Sequence, residues 1–202
     1  TIIEERERRK HINHESLVYL NKDLSPEISK KFKPHSPLAT AHEVFPETKE
    51  YFSFGVLRDP FKRSISGFRY HKAQAIERAI KSIPEKEIEI NLQEQFLNYL
   101  NSKQGIGLAH KGRDLFNYCD KDGNQFNVNR ILKLETLNET LEDCLRDQGM
   151  QIKFEDIPRL KSDFKKIPET INLWSRENIN VVVNRHEWEF RYLNYPTAPK
   201  TN

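Results

Sequence analysis

The chain has 202 residues, of which 36% are hydrophobic and 31% charged. This composition suits one domain with a packed core and argues against a disordered chain. The net charge of +3 argues against nucleic acid as the main partner and favours a local basic pocket for an anionic ligand. The two cysteines give no disulfide framework or metal pattern, and no apolar run reaches the length of a membrane span.

Two histidines, His35 and His42, lie in the segment from residue 33 to residue 45. Pro residues keep Lys33 and Ser36 extended, so the sequence predicts His35 on a loop. His42 is predicted to begin, or lie within, a short helix. Because imidazole titrates in the range that a general base needs, both side chains are candidates for proton transfer or substrate contact.

The stretch from Tyr51 to Lys72 predicts a strand, a sharp turn and a helix. The residues Tyr51–Leu57 are apolar and aromatic, as in a short buried strand. Asp59 is a good N-cap, and Pro60 suits the first helical position. The helix is predicted to continue to about Ser82, because apolar residues follow at helical spacing: Phe61, Ile65, Phe68 and Ala73.

This turn is a candidate anion site. The first N–H groups of the helix are expected to point outward unpaired, where the helix dipole favours negative charge. Arg58 offers a guanidinium suited to phosphate, and Ser66 lies eight residues later on a face shared with Arg63 and Tyr70. The pattern predicts one hydroxyl and two arginines around a phosphate. The alternative is a capped turn with a surface arginine.

The run Arg58-Asp-Pro-Phe-Lys-Arg63-Ser-Ile-Ser66 resembles the 3′-phosphate motif of sulfotransferases that use PAPS (3′-phosphoadenosine 5′-phosphosulfate). It is similar to the version in Golgi-type and bacterial carbohydrate sulfotransferases. The resemblance implies that Arg58 and Ser66 bind the 3′-phosphate of the donor, with Arg63 in support. It runs from about Lys33 to Tyr195, although only this motif is specific.

Four further elements are predicted after the central helix, which Ile83-Pro84 should end. They are a helical stretch Leu92–Leu100, a strand Arg130–Leu137, a helix Asn138–Gln148 closed by Gly149, and a last helix Ser175–Tyr195. The end of the last helix resembles the closing segment of the family and is expected to pack without carrying chemistry.

The resemblance also suggests a general base. The family places a histidine a little over 20 residues before the motif arginine, and His35 lies 23 residues before Arg58. His35 is therefore the preferred catalytic residue. His42, 16 residues before Arg58, is the alternative base and a candidate for substrate contact.

Other positions are assigned more loosely by the same resemblance. His110 is a candidate substrate contact, although Asp114 stands where the family often has Gln. Lys161, or its neighbour Arg159, is the candidate for a second contact with a donor phosphate. Glu135, at the end of the second predicted strand, is expected to be structural rather than catalytic.

The fold implied is an α/β domain of the P-loop nucleotide-binding type, with a mainly parallel central sheet flanked by helices. It is expected to be a single domain over residues 1–202. The reaction implied is transfer of the sulfuryl group of PAPS to a hydroxyl acceptor, by default a carbohydrate, without a metal. The product nucleotide is adenosine 3′,5′-bisphosphate.

The family also has a phosphosulfate-binding loop similar to Pro-Lys-Thr-Gly-Thr-Thr, and these 202 residues contain none. The first residue is Thr1, which favours the interpretation that the loop lies upstream. Two alternatives stay open: a non-catalytic nucleotide-binding scaffold and, with less support, a P-loop kinase-like phosphotransferase. The expected location is the bacterial cytoplasm, with the Golgi lumen as the alternative.

Overall fold

The computed structural model describes residues 27, 30, 38–103, 105, 118, 127–149 and 171–199. The chain divides into two compact units, Thr1–Tyr51 and Phe52–Asn202. The single domain expected from the sequence stays a prediction.

The described part of the first unit contains helix α1, Leu38–Val44, and a 3₁₀ helix, Pro46–Glu50. His42 lies in α1, as predicted. Its Nδ1 is 2.8 Å from the hydroxyl of Thr48, which itself donates to the carbonyl of Phe45. Because the hydroxyl of Thr48 donates its proton to that carbonyl, it accepts a hydrogen bond from Nδ1–H of His42.

The described part of the second unit contains two parallel strands, β1, Phe54–Leu57, and β2, Arg130–Lys133. Their register pairs Phe54 with Arg130 and Leu57 with Lys133. Since parallel neighbours require a crossover between them, this pair confirms the predicted α/β class. Both strands are shorter than predicted, and β2 passes into a 3₁₀ helix, Leu134–Thr136.

Two long helices follow β1. Helix α2 covers Pro60–Ser82, with Asp59 as its N-cap, and the chain leaves it at Ile83-Pro84 as predicted. Helix α3 covers Glu85–Asn101 and so begins seven residues earlier than the predicted Leu92. Ile88 is buried, which extends the apolar face of α3 by a turn toward its start.

Helix α4, Leu137–Arg146, follows β2, and the turn after it contains Gly149 at φ 71°. The left-handed conformation suits glycine, as expected for a residue that closes a helix.

The C-terminal segment forms two helices, α5, Arg176–Arg185, and α6, Glu187–Leu193. The prediction of one helix over Ser175–Tyr195 is wrong. The break falls at His186, whose backbone leaves the helical region (φ −114°, ψ 22°) while its side chain is buried in contact with other polar groups. Asn194 ends α6 in the left-handed conformation.

Two apolar clusters hold the second unit together. The larger joins α2, α3 and α6 through aromatic contacts, including Phe61 with Phe190 and Phe68 with Phe96, and α5 adds Val182. The smaller joins the strands to α4 around Leu132 and Cys144. Residues at both ends of the turn between β1 and α2, Leu57 and Phe61, belong to the larger cluster, so that turn is anchored on both sides.

Candidate functional site

The turn between β1 and α2 consists of Arg58 and Asp59. The carboxylate of Asp59 accepts hydrogen bonds from the N–H groups of Phe61 (2.8 Å) and Lys62 (3.3 Å). The expectation that the first N–H groups of the helix are unpaired is therefore wrong for these two, because the capping carboxylate occupies them. Positive charge at this turn comes mainly from side chains.

Arg58 and Ser66 lie on this turn and the following helix, and both are half-buried. In the part of the chain that the structure describes, no hydrogen bond or ion pair engages the guanidinium of Arg58 or the hydroxyl of Ser66. A cation and a hydroxyl that have no internal partner keep their donors available to an external anion.

Arg69, on α2, is a third candidate residue for this site, and it lies outside the motif that the sequence indicated. Burial lowers the pKa of Arg69, and the nearby charge of Arg58 lowers it further, so two guanidinium groups lie close together. Nε of Arg69 is buried without a hydrogen-bond partner among the described residues. The available signal was its spacing, three residues after Ser66 on the same helix face.

Arg63, by contrast, is directed into the interior. Its guanidinium makes two contacts with the carboxylate of Glu189, an ion pair of 2.8 Å and a hydrogen bond of 2.9 Å, and lies 2.9 Å from Nδ1 of His186. The predicted support of Arg63 for a phosphate would therefore act through the packing of α2 against α6.

The turn is also supported from β2 and from the C-terminal segment. The N–H of Asp59 donates to Oε1 of Glu135 (3.0 Å), and the hydroxyl of Tyr195 donates to Oε2 of the same carboxylate (2.9 Å). The ammonium of Lys133 lies 4.8 Å from the centre of the Tyr195 ring. Glu135 thus has the structural type of contact that the sequence led us to expect.

The positions of the other predicted site residues relative to Arg58 stay predictions. His42 lies in the first unit, so its relation to Arg58 stays a prediction. His35, His110, Arg159 and Lys161 lie outside the described residues, and their roles also stay predictions.

The described ranges contain neither a candidate metal-binding cluster nor a candidate membrane-spanning helix. No three His, Cys, Asp or Glu side chains there are grouped to hold a metal ion. Among the same residues, no helix combines the length and the apolar character needed to cross a bilayer.

The structure thus defines an α/β protein with two cationic side chains, Arg58 and Arg69, at and after a strand-to-helix turn. The model of the sulfotransferase family matches residues 13–196 of this sequence. The match covers most of the chain, so the protein belongs to the sulfotransferase family. No curated protein and no solved structure matches the sequence.

Proposed function

We propose that this sulfotransferase uses PAPS as its donor and transfers the sulfuryl group to a hydroxyl acceptor, with a carbohydrate as the default. The observation that carries the proposal is the pair Arg58 and Ser66, at the motif spacing and without internal partners in the described part of the chain. In this proposal they bind the 3′-phosphate, and the second guanidinium, from Arg69, adds positive charge beside Arg58.

The proposed chemistry is an in-line displacement at sulfur. The acceptor oxygen forms a bond to sulfur while the bond from sulfur to the bridging phosphate oxygen breaks. The electrons of that bond leave with adenosine 3′,5′-bisphosphate. His35 takes the proton of the acceptor hydroxyl as general base, with His42 as the alternative. Lys161 is proposed at a donor phosphate and His110 at the acceptor.

The test is calorimetric titration with adenosine 3′,5′-bisphosphate, with 5′-AMP as the ligand that lacks the 3′-phosphate. We expect Arg58→Ala to weaken bisphosphate binding about 10- to 100-fold, the range for loss of a charge-assisted hydrogen bond. Ser66→Ala should weaken it less, because a neutral donor is lost. Neither substitution should change the binding of 5′-AMP.

The matched control is Arg78→Ala. Arg78 lies on the same helix but is exposed, and its guanidinium bonds to the carbonyl of Gln74 one turn earlier. If Arg78→Ala and Arg58→Ala reduce the affinity equally, the effect is one of general charge. Equal binding of adenosine 3′,5′-bisphosphate and 5′-AMP would show that the 3′-phosphate is not recognised. Either result would mean that the donor assignment is wrong.

Binding alone does not separate an enzyme from a nucleotide-binding scaffold. That distinction needs turnover: transfer of labelled sulfate from PAPS to a panel of hydroxyl acceptors, including sugars. A phosphotransferase would instead consume ATP and stop when Mg²⁺ is chelated, whereas the proposed sulfuryl transfer should continue under chelation.

A further inference from the structure

We propose that Glu135 and Tyr195 form a positioning pair that fixes the main chain beside Arg58, so that its guanidinium is preorganised for the donor's 3′-phosphate. This inference rests on the proposed function. It assigns a binding role to the C-terminal segment, for which the sequence suggested packing alone.

The first observation is that the backbone is held on both sides of Arg58. Before it, Leu57 is paired with Lys133 in the parallel ladder and is buried. After it, the N–H of Asp59 donates to Glu135 at 3.0 Å. Arg58 is the one residue between these two anchors, so its Cα position is determined by β2 and by Glu135 together.

The second observation concerns what holds Glu135 itself. Glu135 is exposed, and holding an exposed carboxylate in one orientation costs conformational entropy. The buried Tyr195 offsets that cost, because its hydroxyl donates to Oε2 at 2.9 Å. Burial and this hydrogen bond raise the pKa of Tyr195, so it remains a donor throughout the range in which the protein would work.

The third observation is the bond that Glu135 does not make. Glu135 contacts the residue next to Arg58, yet no ion pair joins its carboxylate to the guanidinium of Arg58 in the described residues. Both oxygens of Glu135 instead accept from Asp59 and Tyr195. The carboxylate therefore orders the turn while leaving the charge of Arg58 available.

The test is the affinity for adenosine 3′,5′-bisphosphate and for 5′-AMP in Tyr195→Phe, Glu135→Ala and Glu135→Gln. We expect Tyr195→Phe and Glu135→Ala to weaken bisphosphate binding about fivefold and to leave 5′-AMP unchanged. Glu135→Gln should stay within about twofold of the wild type, because the amide oxygen still accepts from the N–H of Asp59. Tyr192→Phe, which removes the same hydroxyl from an exposed tyrosine of α6, is the matched control.

A double-mutant cycle with Arg58→Lys separates positioning from a general structural role. Lysine keeps the charge but has no planar fork to orient, so in that background Tyr195→Phe should have less than about a twofold effect. A full fivefold effect in both backgrounds would overturn the inference, as would wild-type affinity in Tyr195→Phe and Glu135→Ala.

Different results would contradict the donor site and the positioning role. If Arg58→Ala itself binds the bisphosphate like the wild type, the donor site is wrong and the positioning role falls with it. If Arg58→Ala loses binding while Tyr195→Phe and Glu135→Ala retain it, only the positioning role is wrong. Thermal melting identifies any variant that does not fold. If Tyr195→Phe is unfolded, the bisphosphate affinities of Glu135→Ala and Glu135→Gln decide whether the positioning role holds.

Discussion

Arg69 is a candidate residue of the proposed site that lies outside the recognised motif. It lies one turn beyond Ser66, its charge interacts with that of Arg58, and its Nε is buried without a partner in the described part of the chain. Because the charge of Arg58 lowers the pKa of Arg69, an anion bound near both groups would offset their repulsion.

We therefore expect Arg69→Ala to weaken the binding of adenosine 3′,5′-bisphosphate about fivefold, the effect of a single partly screened charge pair. Arg69→Lys should recover part of the loss, because it restores the charge without the fork. Calorimetric titration at two salt concentrations measures both, and the defect of Arg69→Ala should shrink as salt increases. An Arg69→Ala protein with wild-type affinity at low salt would remove this residue from the site.

At the scale of the element, the connection between β1 and α2 depends on Asp59. One carboxylate oxygen caps the first turn of α2 by accepting from Phe61 and Lys62, while the N–H of the same residue reaches Glu135. The cap and the bond to Glu135 belong to one residue, so the start of the helix and the position of Arg58 are coupled.

Asp59→Ala should lower the free energy of unfolding by about 1 kcal/mol, the usual cost of losing an N-cap side chain. Asp59→Asn should cost less, because its amide oxygen can still accept from the same N–H groups. Urea unfolding monitored by circular dichroism measures the two differences. Equal stability in Asp59→Ala and the wild type would show that the cap does not contribute.

At the scale of the whole molecule, a buried polar cluster holds α2 to the C-terminal helices of the second unit. It consists of Arg63, His186 and Glu189, each less than a tenth exposed. Burial alone would raise the pKa of Glu189, but hydrogen bonds from His186 and Arg63, together with the charge of Arg63, outweigh it and leave the pKa below its ordinary value. The carboxylate is therefore ionised inside the protein and compensated by its partners.

Glu189→Gln should destabilise the protein by about 3–5 kcal/mol, because it leaves the charge of Arg63 buried without a counter-charge. The double variant Arg63→Met/Glu189→Leu should be more stable than this single variant, since it removes both charges. Glu187→Gln, at an exposed position of the same helix, is the control. Chemical denaturation measures all three, and a loss in Glu189→Gln no larger than that of the control would contradict the assigned role.

The same cluster predicts a pH dependence of stability. Burial lowers the pKa of His186 from its ordinary 6.5, and the charges of Arg63 and Arg185 lower it further against the opposing effect of Glu189. Below pH 6.5 this imidazole is protonated more readily in the unfolded chain than in the folded chain. The unfolded state then binds more protons, and stability falls as the pH decreases.

We expect the free energy of unfolding to fall between about pH 7 and about pH 5, with a contribution from His186 of at most about 1.4 kcal/mol per pH unit. His186→Gln should flatten the profile in this range. Urea titrations at a series of pH values give the slopes. Parallel profiles for His186→Gln and the wild type would refute the proposed titration.

The sequence by itself determined the features that depend on neighbouring residues. The apolar run before Arg58, the Asp-Pro helix start, the end of α2 at Ile83-Pro84 and the glycine after α4 were all predicted correctly in kind, because caps, proline and glycine act over a few residues. The resemblance of the run from Arg58 to Ser66 to a known motif indicated the candidate site, and the binding roles of these residues stay predictions.

Only the tertiary structure decided which side chains lie at the candidate site and which point away from it. Arg63 turns inward because a buried carboxylate 126 residues away binds it, and Glu135 supports the turn from 76 residues away. The break at His186 arises in the same way, since its side chain joins that buried cluster. Such contacts depend on how distant elements pack, and no local pattern in the sequence records which partner each side chain will meet.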